Sequence, residues 1–393
     1  MAFLLPTLEY IRLMKLILIL LLGLIFTNGF TQVTTWNAPA GYASDKFYQV
    51  KVNGIQVPVF NTPIASYAVF DFSGAARVEV NTMFDVRWVD IRPMRAGLKP
   101  EYTSDNSFKF NLNNPENLSL ELNGRIGQQP LFIFAGKPEG NTPVKEDKNV
   151  IWFDGGELYK DVKPELKDNQ TVYIEGGAVV QGYIFAKGKK NIRICGRGIL
   201  DGSFNKKTKG NNNRFISLTD CENISIEGIN LHNGTTWQVA LFHCNQVKIN
   251  NIKIVSESGS DDGMDIFRCT NVVVEGVFAH TKDDCVAIKS GGNYPADQLT
   301  DNIRIQNCVF WNSIWGNAIE IGFELYSNEV RNIRFKNIQV VGGLLPFSVF
   351  HGFDQEKNVS GVKIENLTYL GKRLSDTENA KIRIQNTKEL TIE

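Results

Sequence analysis

The sequence has few histidines and no excess of charge of either sign. Only four histidines occur among 393 residues, which leaves little material for a histidine-rich metal centre, so we expect neither a metal nor another cofactor. Lysine plus arginine number 42, as do aspartate plus glutamate, and the formal net charge is zero. This balance argues against nucleic acid as a partner, since nucleic-acid binders carry a basic surface.

The sequence also lacks an apolar run that is long enough to span a membrane. Met14 and Lys15 precede eleven apolar residues, 16–26, and then polar 27–29. A bilayer core of ~30 Å needs about 20 helical residues, whereas a positive start and a short apolar core are typical of a secretory signal peptide. We predict a signal peptide over 1–31, with Met14 as an alternative start. The protein is then exported, periplasmic or secreted, with no stable membrane insertion.

Residues 32–145 contain short segments in which apolar and polar residues alternate. Examples are 47–54, 67–72 and 76–80, and glycine, asparagine and proline separate them. This pattern predicts a small antiparallel β-sandwich domain. Residues 136–147, rich in glycine, proline, lysine and glutamate, are expected to be a linker.

From residue 146 to residue 393 an apolar phrase repeats. Its first apolar positions are 192, 224, 247, 272, 303, 333 and 362, so the steps are 32, 23, 25, 31, 30 and 29 residues. Such steps mark a stacked solenoid, and the dominance of isoleucine and valine over leucine favours a β-helix over leucine-rich repeats. We predict an all-β chain in which a right-handed parallel β-helix solenoid follows the sandwich. Residues 390–393 are expected to begin a further coil.

Two residue types recur at fixed places in this repeat. Asparagine precedes the first apolar position in most coils and is expected to form a ladder at a turn. Three cysteines each lie three residues before that position, at Cys221, Cys244 and Cys269. Stacked side chains are poorly oriented for disulfides, so we expect buried thiols.

Acidic residues are concentrated in two neighbouring coils. The first carries Asp261, Asp262 and Asp265, and the second carries Asp283 and Asp284. Asp262 precedes Asp283 by 21 residues, close to one coil, so these carboxylates should lie on adjacent strands about 5 Å apart. Paired carboxyl groups suit acid–base cleavage of a glycosidic bond. Asx turns, a solvated acidic face and a calcium site are alternative interpretations of the same pattern.

Several ordered motifs are similar to the polygalacturonase-type enzymes of glycoside hydrolase family 28, which are inverting parallel β-helix hydrolases of pectin. The motifs are Gly196-Arg-Gly-Ile-Leu-Asp-Gly202, Trp237-Gln-Val-Ala-Leu-Phe-His-Cys244, Ser260-Asp-Asp-Gly-Met-Asp-Ile266, Asp283-Asp-Cys-Val-Ala-Ile-Lys-Ser-Gly291 and Gly316-Asn-Ala-Ile-Glu-Ile-Gly322. The order of a sandwich followed by a helix also resembles the dextranases of family 49.

The resemblance implies roles for individual residues. Asp283 would be the general acid, and Asp262 and Asp284 would hold the attacking water as general base. The expected substrate-binding residues are Asp265, which also supports the site, Lys289, Asn317, His351, Tyr294 and Trp315. Sugar-stacking faces are expected from a set of rings in the groove, to which Trp311, Phe323 and Tyr326 also belong.

The chain departs from the family pattern at two places. Asn317 occupies the position of a histidine and cannot titrate as histidine does. The Arg-Ile-Lys clamp of the family is missing, because Arg334-Phe335-Lys336 lies in a repeat strand about one coil too early. The expected partner is therefore a polysaccharide or oligosaccharide, uronate or neutral α-glucan, cleaved by a monomer. A calcium-dependent pectate lyase and a non-catalytic glycan-binding β-helix are the alternatives.

Overall fold

The computed structural model of the chain describes residues 32–42, 44–124, 129–204, 214–290, 299–312, 315–322, 325, 330–343, 359–384 and 387–393, and the backbone of 348–350. Among these residues no helix is long and apolar enough to cross a membrane. The predicted signal peptide and the expected binding residues Tyr294, Phe323, Tyr326 and His351 lie outside the described residues. The regular secondary structure of the described residues is β-strand, apart from one 3-10 turn at Met94–Ala96.

Strands from the first third of the chain form two sheets. Their bounds are Val33–Thr35 (β1), Tyr48–Val52 (β2), Ile55–Val57 (β3), Val59–Asn61 (β4), Ser66–Phe72 (β5), Ala76–Thr82 (β6), Val89–Arg92 (β7), Glu101–Ser104 (β8), Ser107–Leu112 (β9), Glu116–Leu122 (β10) and Leu131–Gly136 (β11).

The two sheets enclose one apolar core. One sheet has the order β1-β5-β11-β10-β7, with β4 paired to β5, and the other has the order β3-β2-β6-β9-β8. Inward-facing Val50 and Phe108 of one sheet pack in the same cluster as Phe70 and Leu120 of the other. Pairs in both sheets, such as β10–β11 and β2–β6, are antiparallel as predicted, and β5 and β11 run parallel.

The remaining strands build a solenoid. They are Val150–Phe153 (β12), Leu158–Val162 (β13), Thr171–Ile174 (β14), Val179–Gly182 (β15), Ile184–Lys187 (β16), Lys190–Gly196 (β17), Ile199–Asp201 (β18), Ile216–Thr219 (β19), Glu222–Glu227 (β20), Asn230–His232 (β21), Val239–Phe242 (β22), Asn245–Asn250 (β23), Lys253–Val255 (β24), Met264–Phe267 (β25), Thr270–Glu275 (β26), Phe278–Thr281 (β27), Val286–Lys289 (β28), Thr300–Gln306 (β29), Val309–Asn312 (β30), Ile319–Ile321 (β31), Val330–Gly342 (β32), Ser348–Phe350 (β33), Val359–Tyr369 (β34), Lys372–Leu374 (β35), Ile382–Ile384 (β36) and Thr387–Ile392 (β37).

Each central coil contributes three strands, which stack on the equivalent strands of the next coil. Face A contains β17, β20, β23, β26 and β29, face B contains β18, β21, β24, β27 and β30, and face C contains β16, β19, β22, β25, β28, β31, β33 and β36. The pairings between coils are parallel, as in β22–β25 and β25–β28. The predicted parallel solenoid is confirmed. The last strand, β37, pairs in parallel with β34 as a further coil.

The predicted asparagine ladder and the predicted buried thiols are both present. Asn223 donates to the side-chain oxygen of Asn191 at 2.6 Å, and Asn302 donates to that of Asn271 at 2.7 Å. These asparagines have φ near +56°, a left-handed conformation that asparagine tolerates better than most residues. All six cysteines are free and buried, and the backbone N–H of Cys244 donates to the sulfur of Cys269.

The sandwich packs against face B through a second apolar cluster. Phe132 and Phe134 of β11 contact Phe278, which explains why β5 and β11 are buried throughout although alternation was expected in β5. Trp311 lies in this cluster and is buried beside Phe132. Its assignment to a sugar-stacking face is therefore wrong, because its ring faces the sandwich.

A buried ion pair joins the same two parts of the chain. Arg197 of the solenoid binds Asp71 of β5 with an Nε–Oδ2 distance of 2.9 Å. Burial raises the pKa of the Asp71 carboxyl, and the Arg197 guanidinium opposes that shift. Removing one partner of such a pair leaves an uncompensated buried charge. We therefore expect loss of either residue to weaken the packing of the sandwich on the solenoid.

Candidate active site

Five polar or aromatic residues occupy the same position in consecutive coils. Each lies two residues before the first residue of a face C strand, in the turn that follows face B; in chain order they are Arg214, Trp237, Asp262, Asp284 and Asn317. The register continues into these turns, since Gly263 N–H donates to the Asp284 carbonyl and Cys285 N–H to the Asn317 carbonyl. The five residues form a row along the solenoid, with successive strands ~4.8 Å apart. We call it the turn row.

The centre of the turn row is a cluster of three carboxylates. Oxygens of Asp262, Asp283 and Asp284 all lie within 4.8 Å of one another. Asp262 is 3% exposed and Asp284 is 9% exposed, while Asp283 is half-buried. The structure thus brings the three residues together in the turns before β25 and β28. Asp283 is the member with most access to solvent.

Asp261 shapes the turn that carries Asp283. Its buried carboxylate accepts hydrogen bonds from the backbone N–H groups of Lys282 at 3.1 Å, Asp283 at 3.0 Å and Ser258 at 2.7 Å. One side chain therefore ties two coils together at the cluster. Sequence reasoning counted Asp261 only as part of the acidic run and missed this role.

Gly316 allows the next coil to approach the same turn. A Cβ atom placed on Gly316 would lie 2.2 Å from the backbone carbon of Asp283. No side chain fits at that distance, so the backbone of the Asn317 coil reaches Asp283 only because residue 316 is glycine.

Lys289 supplies a buried positive charge beside the cluster. Its ammonium lies 3.1 Å from Oδ2 of Asp262 and 2.7 Å from Oδ1 of Asp265. Lys289 is 3% exposed and Asp265 is 0% exposed, so neither offers the surface to substrate that the sequence suggested. The ammonium also lies 4.0 Å from the centre of the Trp237 ring.

Burial and like charges raise two carboxyl pKa values in this region. The pKa of Asp284 lies well above its ordinary value because of burial, with the charges of Asp262 and Glu320 adding to the effect. The pKa of Asp265 is raised by burial and by Asp262, against the opposing charge of Lys289. Close carboxyl groups that cannot all ionise share protons. The region therefore retains protons at a pH where ordinary aspartates are ionised.

Asn317 and Trp315 border the cluster on its C-terminal side. The backbone N–H of Asn317 donates to Asp284 at 2.7 Å, and its side-chain amide donates to Glu320 at 3.0 Å. Trp315 is 68% exposed, with the Lys282 ammonium 5.8 Å from its ring centre.

The Arg334-Phe335-Lys336 segment does not reach this site. It lies in the face A part of β32, paired in register with β29. Arg334 forms an ion pair with Glu365 of the next coil. The segment therefore provides no clamp beside the carboxylates.

Sequence reasoning missed the N-terminal part of the turn row. The Arg214 guanidinium carbon lies 4.7 Å from the centre of the Trp237 ring and 5.1 Å from that of Phe242. Trp237 and Phe242 are stacked, and Phe242 contacts Phe267. The sequence could have indicated these residues, because Arg214, Trp237 and Asp262 each lie two positions before the first residue of a face C strand.

Known proteins similar to the chain share this architecture or its sequence motifs. A sequence model described as Glycosyl hydrolases family 28 matches residues 137–367. Endopolygalacturonase D from Aspergillus niger is 23% identical over 303 residues, which are 66% of this chain and 55% of that protein. Endopolygalacturonase I from Aspergillus niger is 27% identical over 218 residues, which are 45% of this chain and 59% of that protein.

A solved structure, Dex49A from Penicillium minioluteum, has a similar fold along nearly the whole chain. Its TM-score is 0.62 at 12% identity, with 92% of this chain and 98% of that chain covered. This likeness confirms the predicted fold and layout. The chain spans about half the length of the curated relatives it matches. Because the family match covers more than half of the 393 residues, the chain belongs to glycosyl hydrolases family 28.

Proposed function

We propose that this protein is an exported, inverting glycoside hydrolase that cleaves a polygalacturonase-type substrate, a galacturonan of the pectin class. The observation that carries the proposal is the cluster of Asp262, Asp283 and Asp284, whose oxygens lie within 4.8 Å of one another. Family membership and the Aspergillus niger endopolygalacturonases support the substrate class. The short apolar run at residues 16–26 supports export.

In the proposed mechanism the three carboxyl groups divide acid and base work. Asp283, the most accessible of them, donates its proton to the glycosidic oxygen as the bond to the anomeric carbon breaks. Asp262 and Asp284 hold a water molecule, accept its proton and direct its oxygen to the anomeric carbon. Burial and the neighbouring charges raise the pKa of Asp284, so the cluster holds a proton that its coupled carboxyl groups can share.

The neighbouring residues support this chemistry in different ways. Lys289 holds the Asp262 carboxyl in position through the 3.1 Å contact, and buried Asp265 holds Lys289 in place. Trp315 offers an exposed ring face to a sugar. Asn317 positions Asp284, and Tyr294 and His351 remain predicted substrate contacts.

Lys289 also bears on the alternative of a calcium-dependent lyase. The three carboxylates could hold a cation, but the ammonium bound to Asp262 already places a positive charge beside one of the three ligands. Repulsion between that ammonium and a divalent ion disfavours a lyase site at this place. A hydrolase releases reducing ends in the presence of a chelator, whereas a calcium-dependent lyase loses activity and forms an ultraviolet-absorbing product.

Inversion is tested by the anomeric form of the first product. Carboxyl separations of about 6.5–9.5 Å are usual for inverting enzymes and about 5–5.5 Å for retaining ones, and the nearest oxygens here lie closer than either range. The proposal of inversion therefore rests on the family. NMR of the nascent reducing end should show the anomer opposite to that of the cleaved bond.

The defining experiment is release of reducing ends by the mature protein from polygalacturonate, rhamnogalacturonan, dextran and pullulan. We expect release from polygalacturonate. Release from dextran or pullulan alone would replace the uronate substrate with a neutral α-glucan. Absence of release from all four would contradict the hydrolase proposal and favour glycan binding without catalysis.

The proton donor is tested with Asp283→Asn. We expect kcat to fall by about 10²- to 10⁴-fold, the usual contribution of a general acid, with an unchanged thermal unfolding midpoint. Asp105→Asn, at an exposed turn between β8 and β9, is the matched control and should retain full activity. Undiminished turnover by Asp283→Asn would refute its assignment as the acid.

A further inference from the structure

The carboxylate cluster is flanked on both sides by a tryptophan with a cation near its ring. Trp237 with Arg214 lies on the N-terminal side, and Trp315 with Lys282 lies on the C-terminal side. The exposed Trp315 ring can bind the apolar face of a sugar, whereas the Trp237 ring already contacts the cations of Arg214 and Lys289. A glycan along the turn row would thus meet positive charge before and after the cluster.

An acidic sugar at this place requires such positive charge. The three carboxyl groups of the cluster lie near two more, those of Asp265 and Glu320, and like charges repel a uronate. The ammonium of Lys289 is buried between Asp262 and Asp265, so it compensates the protein's own charge. Arg334, the only arginine of the segment that resembles the family clamp, lies on face A and binds Glu365.

Arg214 combines charge with a fixed geometry. Its guanidinium rests 4.7 Å from the Trp237 ring centre and 5.1 Å from that of Phe242, and these rings are stacked on each other. A guanidinium supported on an aromatic face presents its N–H groups at its edge, in the fork that matches a carboxylate. Stacking also restricts the side chain before a ligand arrives, which lowers the entropy lost on binding.

The turn row sets the place of Arg214 relative to the reacting centre. Ile216, Val239 and Met264 are in register on face C, and each follows its turn-row residue by two positions. Arg214 therefore lies two coils from Asp262, a separation of ~10 Å along the solenoid. The intervening coil presents Trp237.

We propose that Arg214, supported on Trp237 and Phe242, is a specificity-determining residue that binds the carboxylate of a uronic acid unit two coils to the N-terminal side of Asp262. This inference rests on the proposed function. It identifies a residue that recognises acidic sugars in a chain without the family clamp.

The test is calorimetric binding of tetragalacturonate to the full chain that carries Asp283→Asn, so that ligand is not consumed. The comparison ligand is the fully methyl-esterified tetramer, which has the same rings without the charges. Adding Arg214→Gln should weaken binding of the acid about 10- to 100-fold, as expected for loss of a charge-assisted hydrogen-bond pair, and should change binding of the ester less than twofold. Arg214→Lys should fall between the two, because it keeps the charge and loses the fork.

Arg304→Gln is the matched control, since Arg304 is exposed on face A and its loss should leave the binding of both ligands unchanged. Equal weakening of acid and ester by Arg214→Gln would overturn the inference, because it would show that Arg214 only supports the Trp237 ring. Absence of tetragalacturonate binding before Arg214 is replaced would also overturn it. Release of reducing ends from dextran or pullulan by the unsubstituted protein would then leave the hydrolase proposal standing.

Discussion

Two rows of side chains run along the solenoid. The asparagine row, which includes Asn191, Asn223, Asn271 and Asn302, lies near the starts of the face A strands, and the turn row lies just before the face C strands. The two rows satisfy their polar groups in opposite ways. In the asparagine row each amide donates to the side chain of the preceding coil, as Asn223 does to Asn191. In the turn row neighbouring coils place Asp262 next to Asp284, with Asp283 in the same cluster. Stacking of amides satisfies hydrogen bonds, whereas stacking of carboxylates creates repulsion. Carboxylates this close together cost stability, and that cost fits the catalytic role proposed for the cluster.

Removing the buried cation beside the turn row should have the largest effect on stability. Lys289→Met leaves Asp262 and Asp265 without their buried counter-charge, and loss of one partner of such a pair lowers the free energy of unfolding by about 3–5 kcal/mol. The measurement is urea unfolding at pH 7. Lys248→Met is the control, because Lys248 is exposed on face A, and it should change stability by less than about 0.5 kcal/mol.

A second substitution separates the charge effect from packing. Adding Asp265→Asn to Lys289→Met removes one orphaned charge and should recover part of the lost stability. Recovery would show that the buried charges are coupled. If the double variant were as unstable as the sum of the two single variants, the contact between Lys289 and Asp265 would not be an interacting pair.

The pH dependence of stability should follow the raised pKa values of Asp284 in the turn row and of Asp265 beside it. Burial raises the pKa of Asp265 and Asp284, so the folded state holds protons that the unfolded state has released. Stability must then fall as pH rises above the ordinary aspartate pKa of about 3.9, by up to about 1.4 kcal/mol per pH unit for each group. Asp265→Asn should flatten this slope in unfolding experiments between pH 4 and pH 7. An unchanged slope would exclude Asp265 as a contributor.

The two rows also show what the sequence could and could not predict. The repeat predicted the asparagine row and the buried cysteines, because each depends on one residue type that recurs at one position in several coils. The carboxylate cluster was predictable from the 21-residue spacing between Asp262 and Asp283. The paired contacts of Lys289 were not predictable, since they depend on which face of β28 its side chain occupies and on how deeply it is buried.

The interface between sandwich and solenoid explains the remaining errors. Trp311 was expected at a sugar-binding surface because aromatic residues at a groove often stack on sugars. Its burial beside Phe132 depends on how the sandwich lies against face B. Such contacts join segments that are distant in sequence, and no local pattern reports them.

The asparagine row should respond to substitution in stability alone. Asn223→Ala loses the 2.6 Å hydrogen bond and places alanine at φ +56°, with a combined cost of about 2 kcal/mol. Asn223→Gly tolerates that φ and should cost about 1 kcal/mol. Both variants should keep the kcat/KM of the unsubstituted protein. A fall in kcat/KM without unfolding would show that the two rows are coupled.

The cysteines should have the smallest effect on stability. A stack of weakly polar thiols needs neither hydrogen-bond partners nor a counter-charge. All six cysteines are buried and free, and burial raises the pKa of Cys195 to about 12, so no reactive thiolate is expected at neutral pH. A thiol reagent should label none of the six in the folded protein and all six after unfolding, and the melting temperature should not depend on reductant. Rapid labelling of the folded protein would mean that the coils open locally. Since the acidic cluster lies on the same coils as Cys269 and Cys285, such opening would also disrupt the spacing on which the proposed chemistry depends.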